Sequence, residues 1–269
     1  DLSVTALTDN ANGNVSLVSG GTLTLPTSAV AAGTGNLTLA SNGGALSTSN
    51  ALSGTNVSLT GRDGVALGGN VSALGTLELV STNAAITQLA GNIAVAGLST
   101  VTAGSGAITL GAAGNDFGGA VNLAGGATQI TDQNALTLGT LTTGALTAIS
   151  TGALNLGSGN VSGNLVATSN NGAINQAGAL RVTGTSAINA GTDAITLTQA
   201  NNDFQGSVSA TGTGVSITDA NDLAIAGLND GANGTVSLIA GGVLTLPAGS
   251  INTGSANLTL TSNGGSLAT

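Results

Sequence analysis

The chain has no cysteine, histidine, lysine, methionine, tryptophan or tyrosine, and only two phenylalanines and two prolines. Each gap excludes something. Without cysteine there is no disulfide framework and no thiolate metal site. Without histidine or lysine, a nucleophilic serine or threonine lacks its usual base. Ten aspartates and Glu78 face only Arg62 and Arg181, for a net charge of −9. Two cations cannot neutralise a run of phosphates, which excludes nucleic acid as a partner and gives no attraction to an anionic membrane surface. No uninterrupted apolar run reaches about 18 residues, so no segment reads as a transmembrane helix or as direct membrane insertion. The near absence of Glu, Lys and Arg, with no long 3.6-residue stripe, also removes the usual signals for helix.

What is present is 41% apolar residues and 45 glycines. The apolar share is too high for a charged, disordered chain. A core made of Val, Leu, Ile and Ala fills a narrow interior well and a wide one poorly, which favours a thin, elongated structure.

The sequence repeats itself at three scales, the mark of a solenoid. Residues 1–48 align without a gap on 222–269, with 27 identities in 48 positions. "GGTLTLP" at 20–26 thus lies over "GGVLTLP" at 241–247, and the only prolines, Pro26 and Pro247, occupy one place in two copies. The long unit spans 1–221, and 222–269 begins the next copy. Asp1 opens inside a repeat, so 1–269 reads as one continuous segment of a longer array. Within the long unit, "AITLGAAGNDFGGAVNL" (107–123) matches "AITLTQANNDFQGSVSA" (194–210) at a shift of 87. Phe117 and Phe204 are equivalent in this alignment. The finest period is set by apolar–Ser/Thr–apolar phrases starting at Val15, Leu37, Val57, Leu77 and Val101, then at Val215, Val236 and Leu258.

Inside each phrase the alternation has period two, the pattern of a strand with one apolar face. Runs such as "SNGG", "GTG" and "NDGANG" separate the phrases and suit turns, because Gly and Asn accept positive φ and Asn and Asp bond nearby backbone. The expected fold is an all-β, right-handed parallel β-helix with about 20–22 residues per coil and roughly twelve coils. At ~4.8 Å per strand, the 221-residue step corresponds to about 48 Å and the whole chain to a rod of about 58 Å. The inward positions are expected to include Val15, Leu17, Leu23, Leu25, Leu37, Leu39, Val57, Leu59, Ile108, Leu110, Ile195, Leu197, Val236, Leu238, Leu258 and Leu260. Glu78 and Arg181 are expected to point outward. Pro26 and Pro247 are placed at matching strand ends, where a missing N–H disturbs the ladder least.

Some residues invite a sharper reading. Asn14, Asn36, Asn56 and Asn257 each precede a strand phrase, so their amides are expected to form a ladder from turn to turn. They also begin N-x-[ST] sequons, which a turn Asn followed by an outward Ser or Thr creates automatically. The segments around Phe117 and Phe204 exceed one coil, so a bulge or flap with the ring on apolar surface is expected, a ligand-binding Phe being the alternative. Paired aspartates are the one hydrolytic arrangement left, but the aspartates sit in turn phrases, and nothing in the composition tunes them. The β-roll calcium repeat and the EF-hand loop are both absent. No catalytic residue, cofactor or metal is therefore expected, and the protein reads as a non-enzyme.

The phrases "NLTLASNGGALS", "GNVSGNLVATSNNGAI" and the doubled "AITL…NDF.G.V" resemble the repetitive shaft of filamentous-haemagglutinin-like exoproteins. The resemblance covers the whole chain. It implies a secreted, cell-surface shaft of a bacterial adhesin or biofilm-matrix protein, exported by two-partner secretion through an outer-membrane transporter. Its implied partners are neighbouring repeats, other adhesin shafts or polysaccharide. Two other functions stay open: a carbohydrate- or ice-binding solenoid, and a polysaccharide-acting β-helical enzyme.

Overall fold

The computed structural model describes residues 1–7, 12–231 and 233–269. Asp9, in the phrase "TDN", lies outside them. All regular structure among the described residues is β, and the chain is a parallel β-solenoid of about twelve turns. The chain forms two compact units, Asp1–Gln133 and Asn134–Thr269.

In the first unit three ladders of parallel strands stack coil on coil. The first holds Val15–Ser19, Leu37–Ser41, Val57–Gly61, Leu77–Ser81, Ser99–Thr102 and Val121–Gly125. The second runs from Leu2–Ser3 to Thr128–Asp132, and the third from Val30–Ala31 to Asp116–Phe117. Register places Leu17, Leu39, Leu59, Leu79, Val101 and Leu123 in one inward column. Leu39, Leu59 and Leu79 are fully buried. Glu78 lies between buried Leu77 and Leu79 and is exposed, as period two requires. A fully buried Leu contributes about 1.5–3 kcal/mol relative to an exposed one, so the columns carry most of the stabilisation.

One phrase is out of phase with the sequence reading. Leu77 pairs with Ser99, not Val101. The coil is 22 residues long, two shorter than the phrase spacing implied, and a serine enters the bore. Ser99 is completely buried, and its hydroxyl has no hydrogen-bond partner among the described residues. The 87-residue copy repeats this at Ser186, also buried and unpartnered.

The second unit is built alike. One ladder runs through Leu154–Asn155, Ile174–Asn175, Ile195–Leu197, Val215–Asp219, Val236–Ala240 and Leu258–Ser262. Another holds Leu146–Ser150, Leu165–Ser169, Ser186–Asn189, Val208–Thr211 and Leu223–Asn229. A third, short ladder joins Ser158–Val161, Leu180–Val182 and Asp203–Phe204. Arg181, between buried Leu180 and Val182, is exposed. The two ends of the long repeat make the same pairs: Val15 with Leu37 and Leu2 with Leu23 in one copy, Val236 with Leu258 and Leu223 with Leu244 in the other.

Four expected core residues are less buried than their alternation implies. Leu258 is 45% exposed, and Leu260, Leu17 and Leu25 are half-buried. An inward side chain is sealed by coils on both sides, and these four lie in the outermost coils of their units.

Leu39→Asp places a charge in a bore with no cation and should cost about 3–5 kcal/mol. Glu78→Gln, on the outer face between buried Leu77 and Leu79, should cost no more than ~0.5 kcal/mol. Urea midpoints of the two variants check the ranking. A Glu78→Gln cost equal to that of Leu39→Asp would contradict the assigned register.

Candidate functional site

The polar residues singled out by sequence fall into two groups, one at the turns and one in the bore. At the turns, an Asn or Asp side-chain oxygen accepts the backbone N–H one coil further on. Asn14 Oδ1 takes Asn36 N at 2.8 Å, Asn36 Oδ1 takes Asn56 N at 3.3 Å and Asn56 Nδ2 at 2.9 Å, and Asn56 Oδ1 takes Thr76 N at 3.0 Å. Asn257 is exposed, and its backbone carbonyl accepts Val236 N at 3.0 Å, with no side-chain ladder bond among the described residues. The sequence reading missed further members. Asn70 caps Asn92, Asn164 caps Thr185, and Asp222 caps Val243 in the same way. The signal available was an Asx residue 20–22 positions before its partner, whatever follows it.

A stricter version recurs four times among the described residues. Asn12, Asn83, Asn171 and Asn233 adopt positive φ, and one coil later Gly33, Gly104, Gly191 and Gly254 do the same at φ 58–61°. Each Asn oxygen caps the residue after that glycine: Thr34, Ser105, Thr192 and Ser255. Glycine is required there twice over, by its left-handed backbone and because a Cβ would overlap the Asn oxygen stacked on it.

In the bore, Asn115 and Gln88 exchange two side-chain hydrogen bonds, at 2.7 and 2.9 Å. Asn115 also accepts from Ile93 N at 2.9 Å and donates to the Leu110 carbonyl at 3.1 Å. Asn202 repeats the set with Gln176, Leu180 N and the Leu197 carbonyl. Both asparagines are completely buried, and each has its donors and acceptors matched, as burial demands.

Phe117 and Phe204 sit two residues beyond these amides and are fully buried. The expected flap is absent. Asp116–Phe117 and Asp203–Phe204 are short strands that end the third ladder of each unit. Phe117 pairs with Val95 and Val95 with Ala73, which faces Gly54, so side-chain size grows along the column until the ring closes it. Its N–H, with no further strand to bond, is accepted by Asp132 Oδ2 at 2.7 Å. Asp219 does the same for Phe204 at 2.7 Å, and its other oxygen takes Asn221 N at 2.7 Å. The Phe is thus an interior plug with no face left for a ligand.

Pro26 and Pro247 lie two residues past the equivalent strands Leu23–Thr24 and Leu244–Thr245, outside the ladder. The Pro26 carbonyl accepts Asn50 Nδ2 at 3.1 Å.

Among the carboxylates, burial raises the Asp219 pKa above its usual value, with Asp203 and Asp222 adding to the shift against the two backbone hydrogen bonds. Arg181 bonds Asp203 at 3.2 Å on the surface. Among the described residues no group of three or more His, Cys, Asp or Glu is placed to hold a metal ion. A concavity of about 420 Å³ lies on the outer face of Leu165–Ser169, Ser186–Asn189, Val208–Thr211 and Leu223–Asn229.

These features define a parallel β-solenoid whose repeats carry their own internal plugs. Residues 54–124 and 143–211, together just over half of the chain, match a family described as repeats of unknown function (DUF5649). The chain belongs to that family. Each matched stretch contains one buried Gln–Asn cluster and one plugging Phe. No curated protein and no solved structure matches the chain.

Asn115→Leu strands the Gln88 amide, Ile93 N–H and Leu110 carbonyl, and should cost about 3 kcal/mol or more, at ~1–3 kcal/mol per unsatisfied group. Asn36→Ala, at an exposed turn, should cost about 1 kcal/mol or less. Denaturant unfolding measures both. A second expectation concerns pH. With a raised folded-state pKa, Asp219 binds its proton more readily folded than unfolded. Its contribution therefore improves as pH falls through the folded pKa towards ~3.9 in the unfolded chain, and worsens as pH rises. Melting of the protein relative to Asp219→Asn, from pH 7 to pH 4, should shift in favour of the unsubstituted chain. A shift in favour of the variant would reverse the assignment.

Proposed function

We propose that this chain is part of the structural shaft of a secreted bacterial surface adhesin, a repetitive spacer for contacts between cells, with a biofilm matrix or with a host. The observation that carries the reading is the re-formation of residues 1–48 by 222–269 with the same strand pairs. A unit that ends by rebuilding its own beginning is extended by adding copies. The resemblance to filamentous-haemagglutinin-like exoproteins supplies the secretion route and surface location, with a transporter in the outer membrane as export partner. The polar Ser, Thr and Asn outer faces suit lateral packing against like shafts or hydrogen bonding to polysaccharide.

The test is to express surface-displayed versions with one, two and three long units. Each added unit should lengthen the particle by roughly 48 Å, at ~4.8 Å per coil, and cell-to-cell spacing should widen in step while adhesion is retained. Spacing independent of copy number removes the spacer role, and loss of adhesion on removing one copy relocates the binding function to the repeats.

A further inference from the structure

The 420 Å³ concavity on the outer face of the second unit is lined by small and uncharged side chains, with Thr and Asn among them. Two rows of outward side chains cross its four strands in register. One row is Thr168, Asn189, Thr211 and Asn229. The other shrinks step by step, from Val166 through Ala187 and Ser209 to Gly227. The pairing slips by one residue between Val208 and Ser209, so that Ala226 bulges and Gly227 lies opposite Ser209. Small side chains and a bulge, which bends a strand, together hollow the face.

The polar row is held but not used up. Asn189 Oδ1 accepts Gly191 N at 2.9 Å and Asn229 Oδ1 accepts Gly231 N at 3.4 Å. Each amide is thereby fixed through its oxygen, leaving its NH2 donor without a partner among the described residues. The hydroxyls of Thr168 and Thr211 are likewise unpartnered among the described residues. The row alternates Thr and Asn, so its chemistry recurs every second coil, about 9.6 Å at ~4.8 Å per strand. An extended β-linked glycan flips each sugar relative to the last and presents the same edge once per disaccharide, at nearly that interval. No charged side chain lines the concavity, so an ionic ligand meets no counter-charge there.

We propose that this groove binds a neutral, extended β-linked polysaccharide lying across the strands. The Asn189 and Asn229 amides donate to sugar oxygens two coils apart, and Thr168 and Thr211 exchange hydrogen bonds with hydroxyls between them. Val166 and Ala187 support the C–H face of a ring. The groove stands independently of the shaft reading, since it requires only the second unit.

The experiment is calorimetric titration of the whole chain with cellohexaose, with maltohexaose as the control, because its α-links curl the chain out of the two-coil spacing. Cellohexaose should bind, and maltohexaose should bind at least tenfold more weakly. Asn189→Ala should weaken cellohexaose about tenfold. Gly227→Leu should abolish binding without lowering the melting temperature, since a Cβ there meets only Ser209 Oγ, at 3.7 Å. Absence of cellohexaose binding at millimolar concentration, binding unchanged in Gly227→Leu, or equal affinity for maltohexaose would each overturn the proposal.

Discussion

Backbone hydrogen bonding from each coil to its neighbours is the constraint that shapes the rest of this molecule. In a parallel stack, strand N–H and C=O groups find partners only in the coils on either side. The turns must keep the same step or the strands fall out of register. Where a turn cannot pair as a strand, a side chain takes the part of the backbone. Asn14, Asn36 and Asn56 do this in succession. The Asn83–Gly104 and Asn171–Gly191 pairs do it with a left-handed bend stacked on a left-handed bend. The abundance of Asn and Gly follows from this need, and so do the sequons, since a capping Asn stands immediately before an outward-alternating strand.

The same constraint explains the polar groups in the bore. A coil that loses its third strand exposes the last strand's N–H groups to the interior, where unpaired they are costly. Asp132 and Asp219 reach in from the following coil to accept those of Phe117 and Phe204. The rings stand inward and buried on the last strand of the third ladder, where they end the columns that run through Val95 and Val182. Asn115 and Asn202 satisfy the backbone on the other side of the same step. The raised Asp219 pKa is a consequence of this duty, because the carboxylate is buried to serve a backbone donor.

Much of the fold was legible in the sequence because period two and a 20–22-residue step leave a direct mark on residue order. The inward Leu37, Leu39, Val57 and Leu59 could be named, and so could outward Glu78. The failures have physical causes. Ser99 takes a bore position that looked reserved for Val101, because small polar residues are tolerated in a narrow column and blur the phase. The Phe segments looked too long for one coil, yet their length is used by short strands and the buried Asn115 and Asn202 turns. The groove left no linear mark at all, because Thr168, Asn189, Thr211 and Asn229 are adjacent only across strands.

Comparison of the two 87-residue copies separates what the stack needs from what the surface is free to be. Ser99 and Ser186, Asn115 and Asn202, Phe117 and Phe204, and Asp132 and Asp219 are the same residues doing the same work inside. Outward, the copies diverge. Where the second has Asn189 and Thr211 in one row and Ala187 and Ser209 in the other, the first has Thr102 and Ala124, then Thr100 and Asn122. The larger polar groups have changed rows. Interior identity combined with exterior difference is what a scaffold permits when its stability resides in the columns and caps. The outer rows can then change coil by coil at little energetic cost, as surface substitutions generally do, so the two copies need not share a binding face.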